Sequence, residues 1–200
     1  MLNSNFVFVG TAVASFGSLI YLIQVLKGRV RPNRVSFFLW AINPLIIYFA
    51  QITQGVSWQS SLLVLAQAVS PFLVLLASFF NKKSEWKLTK RDLSLGFLSI
   101  IGLLLWYVTK VGDIAIFFSI FADCLAALPT IIKSYQYPDT EIAWPWLAGS
   151  IGVIFTLLTF DRMTFTNSAF IIYFFITNFT IFFLVQFRIG KRIKLKGLFK

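Results

Sequence analysis

This sequence predicts an all-α membrane protein of seven transmembrane helices, two three-helix bundles joined by a connector helix. Three observations point to it: seven apolar runs of near-spanning length, a scarcity of charge, and basic residues confined to alternate loops. Of the 200 residues, 58% are hydrophobic and 12% are charged. A soluble domain carries roughly 25% charged residues because its surface must face water. The runs are Phe6–Leu26, Val35–Gln54, Trp58–Phe80, Leu93–Val108, Ile114–Ser134, Trp144–Phe160 and Thr166–Phe187. A bilayer core takes about 20 apolar residues in a helix; the fourth run is the shortest and suits a less tilted path or interfacial flanks.

The formal charge is +11, yet the basic residues lie in short clusters between apolar runs, which is membrane topology rather than a nucleic-acid footprint. Lys27, Arg29, Arg31 and Arg34 follow the first run. Lys82, Lys83, Lys87, Lys90 and Arg91 follow the third, Lys133 ends the fifth, and Arg188, Lys191, Arg192, Lys194, Lys196 and Lys200 form the tail. Only Lys110 and Arg162 fall on the opposite side. The positive-inside rule then places the N-terminus outside and the C-terminus in the cytosol, and the same asymmetry supports an odd number of spans. There is no histidine and one cysteine, Cys124, so imidazole metal sites and an intrachain disulfide are excluded. Met1–Asn5 carries no Lys or Arg, so the first run is expected to be a true span rather than a cleaved signal. A plasma membrane is the expected location, and no cofactor or metal is expected.

An internal repeat appears at an offset of about 106 residues when matching positions are aligned. Ile23-Gln24-Val25-Leu26-Lys27, Pro32-Asn33 and Trp40 align with Pro129-Thr130-Ile131-Ile132-Lys133, Pro138-Asp139 and Trp146. Three helices are an odd number, so a connector span is needed to keep two copies parallel, a known transporter plan. The organisation expected is a first repeat with its cytosolic loop at 1–92, a connector at 93–111, a second repeat at 112–187 and a basic tail at 188–200.

The segment Leu128-Pro129-Thr130-Ile131-Ile132-Lys133-Ser134, followed by Thr140-Glu141, resembles the motif of the PQ-loop and SWEET transporter superfamily. That motif places a Pro-Gln pair near the cytosolic end of the first helix of each repeat. Each copy here keeps half of the pair: Gln24 in the first, Pro129 in the second. The resemblance implies an outside N-terminus and a 3+1+3 layout. It also implies gating at Gln24, Pro129, Thr130 and the span prolines Pro44 and Pro145, and a substrate-binding Asn on the third helix of a repeat, here Asn178.

The residues themselves give further candidates. Asp123 is the one acid deep in an expected span, where a charge costs about 2.5–3.5 kcal/mol on insertion scales and needs a partner, water or a proton. It shares a helical face with Ser119, Thr130 and Ser134. A carboxyl group away from water holds its proton more readily, so Asp123 is the proton-coupling candidate; the alternative is a hydrogen bond to a neighbouring helix. Ser70, or Gln67 beside it, corresponds to Asn178. Asn43 precedes Pro44, and Trp40 and Trp146 match across the repeat; a Trp beside amides can stack on a flat polar ligand. The competing readings are interhelical hydrogen bonds for the amides, an interfacial belt for the tryptophans, favoured for Trp144, and static kinks for the prolines. Lys133, Asp139 and Glu141 are read as solvated loop charges, with gate ion pairs as the alternative. Cys124 is read as a helix-packing residue, and the tail as a contact with anionic lipids.

The function expected is alternating-access transport of a small polar solute of the sugar or amino-acid class, with proton coupling through Asp123 as an option. The alternative is a non-transporting scaffold, sensor or accessory protein of the same fold, which has no need of Asp123 and Asn178 on one cavity. An enzyme is not expected. The partners are the solute and the bilayer, not nucleic acid; a homo-oligomer is left open.

Overall fold

The computed structural model describes residues 3, 5–80, 87–90, 92–94, 97, 104, 108 and 112–198. Its helices are α1 (Phe6–Leu26), α2 (Arg34–Thr53), α3 (Leu62–Phe80), α4 (Gly112–Gln136), a 3-10 turn at Pro138–Thr140, α5 (Trp144–Leu157), α6 (Phe165–Gln186) and α7 (Ile189–Leu198). No strand occurs among the described residues. Helices α1, α2, α3, α4 and α6 are long and apolar enough to cross a bilayer. Helix α5 is apolar but has only 14 residues, about 21 Å of helix. The expected fourth span, Leu93–Val108, lies almost wholly outside the described residues, as does Lys110. The third span starts at Leu62 rather than Trp58, because the Ser57 hydroxyl accepts the Ser60 amide at 3.2 Å and holds the intervening residues in turns.

Local chemistry sets the helix ends. The Asn33 side chain accepts the amides of Val35 and Ser36 at 3.1 and 3.3 Å and starts α2. Thr164 and Asn167 form a capping box that starts α6. Helix α1 ends at Gly28, whose φ is +71°; the amide of Arg29 reaches the Gln24 carbonyl and that of Gly28 the Val25 carbonyl. Gly55, at φ +81°, ends α2 through the same pair of bonds. Arg188 takes the left-handed conformation after α6, at φ +49°, and turns the chain into α7.

The helices form a closed ring in which neighbours pack in the order α1, α3, α2, α4, α6, α5 and back to α1. Helix α1 has its most extensive contact with α5, and α2 meets α4 across the ring. Large apolar side chains such as Phe16, Phe49, Phe72, Phe117 and Ile176 point outward, while Asn43, Gln51, Ser119, Asp123 and Thr130 are buried. Greasy outside and polar inside is the reverse of a soluble protein, and with five long apolar helices it fits a multi-pass α-helical membrane protein.

Small residues make the α1–α5 seam. Gly10, Ala14 and Gly17 recur on one face of α1 and meet Ala148 and Gly152 of α5. A Cβ on Gly10 would sit 2.5 Å from the Gly152 carbonyl oxygen, and one on Gly17 2.6 Å from the Ala148 Cβ. Both would clash with atoms that cannot move away without separating the helices, the close-approach packing that membrane helices use. Replacing Gly10 or Gly152 by Leu should cost about 1–3 kcal/mol through overpacking, measured as a lower unfolding midpoint in detergent. Leu19→Phe, on the outward face of α1, should leave the midpoint unchanged.

Candidate functional site: a central cavity with a closed basic end

The ring encloses a cavity of about 70 Å³ to which all six of its helices contribute. Eight of the residues singled out from the sequence line it: Trp40 and Pro44 from α2, Gln67 and Ser70 from α3, Asp123 from α4, Pro145 and Trp146 from α5, and Asn178 from α6. Asn43 stands just behind the wall and donates from Nδ2 to Asp123 Oδ1 at 3.2 Å. Trp40 and Tyr173 face the same carboxylate, which is only 3% exposed. Gln24, Pro129 and Thr130 lie away from the cavity. Pro145 occupies the first turn of α5, where it removes no intrahelical bond, whereas Pro44 and Pro129 lie inside α2 and α4.

Asn178 donates from Nδ2 to the Phe174 carbonyl one turn earlier at 2.8 Å. Its Oδ1 is thereby turned toward α5, where a Cβ on Gly149 would lie 2.6 Å from it. Gly149 therefore makes the space that Asn178 uses. The expected polar stripe on α4 is buried as a whole, but only Asp123 reaches the cavity; the hydroxyls of Ser119, Thr130 and Ser134 face helix contacts and have no hydrogen-bond partner among the described residues. Cys124 is exposed on the outside of α4, which corrects its reading as a packing residue. Trp144 is also exposed at the start of its helix, as a belt residue would be.

An aromatic cluster closes the cavity on the side of the basic loops. Trp40 and Trp146, the repeat-matched pair, meet edge to face with centroids 5.9 Å apart. Phe37 packs on Trp40 at 5.2 Å, and Tyr21 packs on Phe37 and Trp146 at 5.4 and 5.6 Å. Beyond the rings the Tyr21 hydroxyl donates to Glu141 Oε1 at 3.1 Å. The Lys133 ammonium donates to the same carboxylate and to the Arg31 carbonyl. The Arg31 amide in turn donates to the Thr140 carbonyl at 3.2 Å, so the α1–α2 and α4–α5 loops are bonded to each other. Lys133 and Glu141 are 1% and 5% exposed, which overturns their reading as solvated charges. Asp139 does remain in solvent; it pairs with Lys191 and with Arg188 at 3.5 Å, and the hydrogen bond from Lys191 holds its carboxyl below the ordinary range.

On the other side of the cavity Ile47, Leu63, Val64, Val153, Phe170 and Ile171 form an apolar cluster. Gln51 Nε2 donates there to the Thr166 carbonyl at 3.0 Å, and the Thr166 hydroxyl donates to Asp113 at 2.7 Å. Tyr21, Phe37, Gly149 and Thr177 join the site without having been singled out in the sequence. Nothing in the sequence sets the Tyr21 hydroxyl apart from those of Thr11, Ser15 and Ser18 in the same run.

A buried ion pair loses about 3–5 kcal/mol when one partner is removed and the other is left charged and alone. Glu141→Leu should therefore destabilise the protein by about that much, and Lys133→Met similarly. The double variant should recover most of the loss, which a thermodynamic cycle on detergent unfolding measures.

Comparisons with protein-family models, with curated proteins and with solved structures gave no match; the reading of the site rests on its own geometry.

Proposed function

We propose that the chain is a carrier that moves a small polar solute of the sugar or amino-acid class across the plasma membrane by alternating access. In this reading it has seven spans: two parallel three-helix bundles, α1–α3 and α4–α6, joined by a connector through residues 93–111. The N-terminus lies outside and the basic loops and tail lie in the cytosol. Several features support the bundles. Within each half the first helix packs on the third and the third on the second, and each first helix meets the second helix of the other half. Trp40 and Trp146, 106 residues apart, meet at the axis between the halves. The partial PQ-loop pattern around Gln24 and Pro129 belongs to the same arrangement.

One observation carries the functional reading: Asp123 and Asn178, from different helices, line a single cavity between the halves, and the basic-loop end of that cavity is closed by the Trp40–Trp146 contact and the Lys133–Glu141 pair. A scaffold has no use for a central cavity that holds a carboxylate and an amide behind breakable contacts. In the proposed cycle the Trp40–Trp146 contact and the Lys133–Glu141 pair separate to admit solute from the cytosol, and the Gln51–Thr166 end separates to admit it from outside. Pro44 and Pro129, inside α2 and α4, interrupt the hydrogen-bond ladder and permit bending. Asp123 is the seat for a coupled proton.

Counterflow in proteoliposomes tests this reading. Vesicles loaded with a panel of unlabelled sugars, amino acids, nucleosides and amines should take up the labelled counterpart of at least one class. Asn178→Leu should reduce that uptake at least tenfold while the protein still folds. Absence of counterflow for every class, from protein that is folded and inserted, would return the chain to the scaffold reading.

A further inference from the structure

We propose that the ligand of the central cavity is a small organic ammonium ion, a primary amine or amino alcohol of only a few non-hydrogen atoms. This rests on the carrier reading and replaces its sugar or amino-acid class with a different one for the same cavity.

Charge comes first. Asp123 is the one ionisable carboxylate on the cavity wall, and no Lys or Arg lines it. Among the described residues the ion pairs join Lys133 to Glu141 and Arg188 and Lys191 to Asp139; none reaches Asp123. Its surroundings are neutral: the Asn43 amide donates to it, and Trp40 and Tyr173 face it. A carboxylate at membrane depth needs a compensating charge, and a cationic ligand brings one.

Hydrogen bonding points the same way. One N–H of each amide is committed, that of Asn43 to Asp123 and that of Asn178 to the Phe174 carbonyl. Each amide is thus oriented by its own donor, and Asn178 presents its oxygen to the cavity beside Gly149. Asp123 and Asn178 together offer acceptors, which suit the three N–H donors of an ammonium group. Among the donors on the wall, which include the Gln67 amide and the hydroxyls of Ser18, Ser70 and Thr177, Trp146 Nε1 is buried with no hydrogen-bond partner among the described residues. It suits a hydroxyl on the ligand. A ligand carboxylate would meet Asp123 with no cation on the wall to hold it, so an amino alcohol fits better than an amino acid.

The walls and the size complete the match. Trp40, Trp146, Tyr21 and Phe37 present ring surfaces on which an organic cation is favoured and a polyol gains less. At about 30 Å³ per water in the liquid, the cavity of about 70 Å³ holds roughly two waters. Ethanolamine fits that space; a hexose requires the helices to part.

Purified protein is titrated with ethanolamine, ethylene glycol, glycine and glucose at one pH and ionic strength, with thermal unfolding as the readout. Counterflow of labelled ethanolamine runs alongside. The expected result is a saturable rise of the midpoint with ethanolamine, a response at least tenfold weaker in concentration for the three others, and ethanolamine counterflow. Asp123→Asn should weaken the ethanolamine response at least tenfold, while Asp123→Glu, which keeps the charge, retains it. Asn178→Leu provides a variant outside the carboxylate, and its ethanolamine response should also weaken. Equal or stronger responses to glycol, glycine or glucose would overturn the ammonium assignment and leave the carrier reading standing. An ethanolamine response unchanged by Asp123→Asn would also overturn it. No response and no counterflow with any compound would overturn both.

Discussion

The contact on which the basic end of this structure depends is the buried ion pair between Lys133 and Glu141. Neither charge can remain where it is without the other, because the desolvation of each is offset only by its partner and by the hydrogen bonds around it. The pair does not act alone: Tyr21 shares the carboxylate of Glu141, and the Lys133 ammonium also reaches the Arg31 carbonyl. One cluster thereby ties α1, α4 and both loops of the basic end together. Directly above it, Trp40 and Trp146 separate the charges from the cavity, so the polar space and the ion pair do not share water in this form.

The ring has two seams between its halves, and they differ in chemistry. Along α1–α5 the backbones approach so closely that glycine is required at Gly10 and Gly152. Along α2–α4 the corresponding region holds a hydrogen bond between Asn43 and Asp123. At the repeat offset of 106, Gly17 takes the place of Asp123 and Gly149 that of Asn43. What is a polar pair in one seam is a pair of glycines in the other. The glycine seam is held by van der Waals contact over many atoms, which is lost all at once when the helices separate. The polar seam is narrower in its chemistry and borders the cavity. Both seams border the cavity: Tyr21, Trp146 and Gly149 line it from the glycine seam, and Trp40 and Asp123 from the polar one.

Much of this architecture was legible in the sequence, because a bilayer imposes length and polarity on every span. The first helix, Phe6–Leu26, has the limits that its apolar run defines. The matched tryptophans and the isolated Asp123 also led to the cavity, since a polar or amphipathic residue in an apolar run has few places to go. The rest depends on distances that no local pattern encodes. Asn43 is 80 residues from Asp123, and nothing in either segment names the other. Lys133 and Glu141 read as loop charges because their burial is created by the α1–α2 loop folding across them through Arg31. Gly149 looks like any membrane glycine until Asn178 is seen to fill the space it leaves. The hydroxyls of Ser119, Thr130 and Ser134 share the face of Asp123 as their spacing requires, yet α4 packs so closely on its neighbours that the stripe contributes one side chain, not four, to the cavity.

The most direct measurement is a disulfide staple across the two loops at the basic end. With Cys124→Ser as background, Arg31→Cys and Thr140→Cys introduce thiols at two positions whose backbones are hydrogen-bonded at 3.2 Å. Solute counterflow is then compared in oxidised and reduced proteoliposomes. The account predicts that counterflow is abolished when the staple forms and returns when dithiothreitol breaks it, because the loops must separate once in every cycle. Undiminished counterflow with the staple fully formed would contradict it.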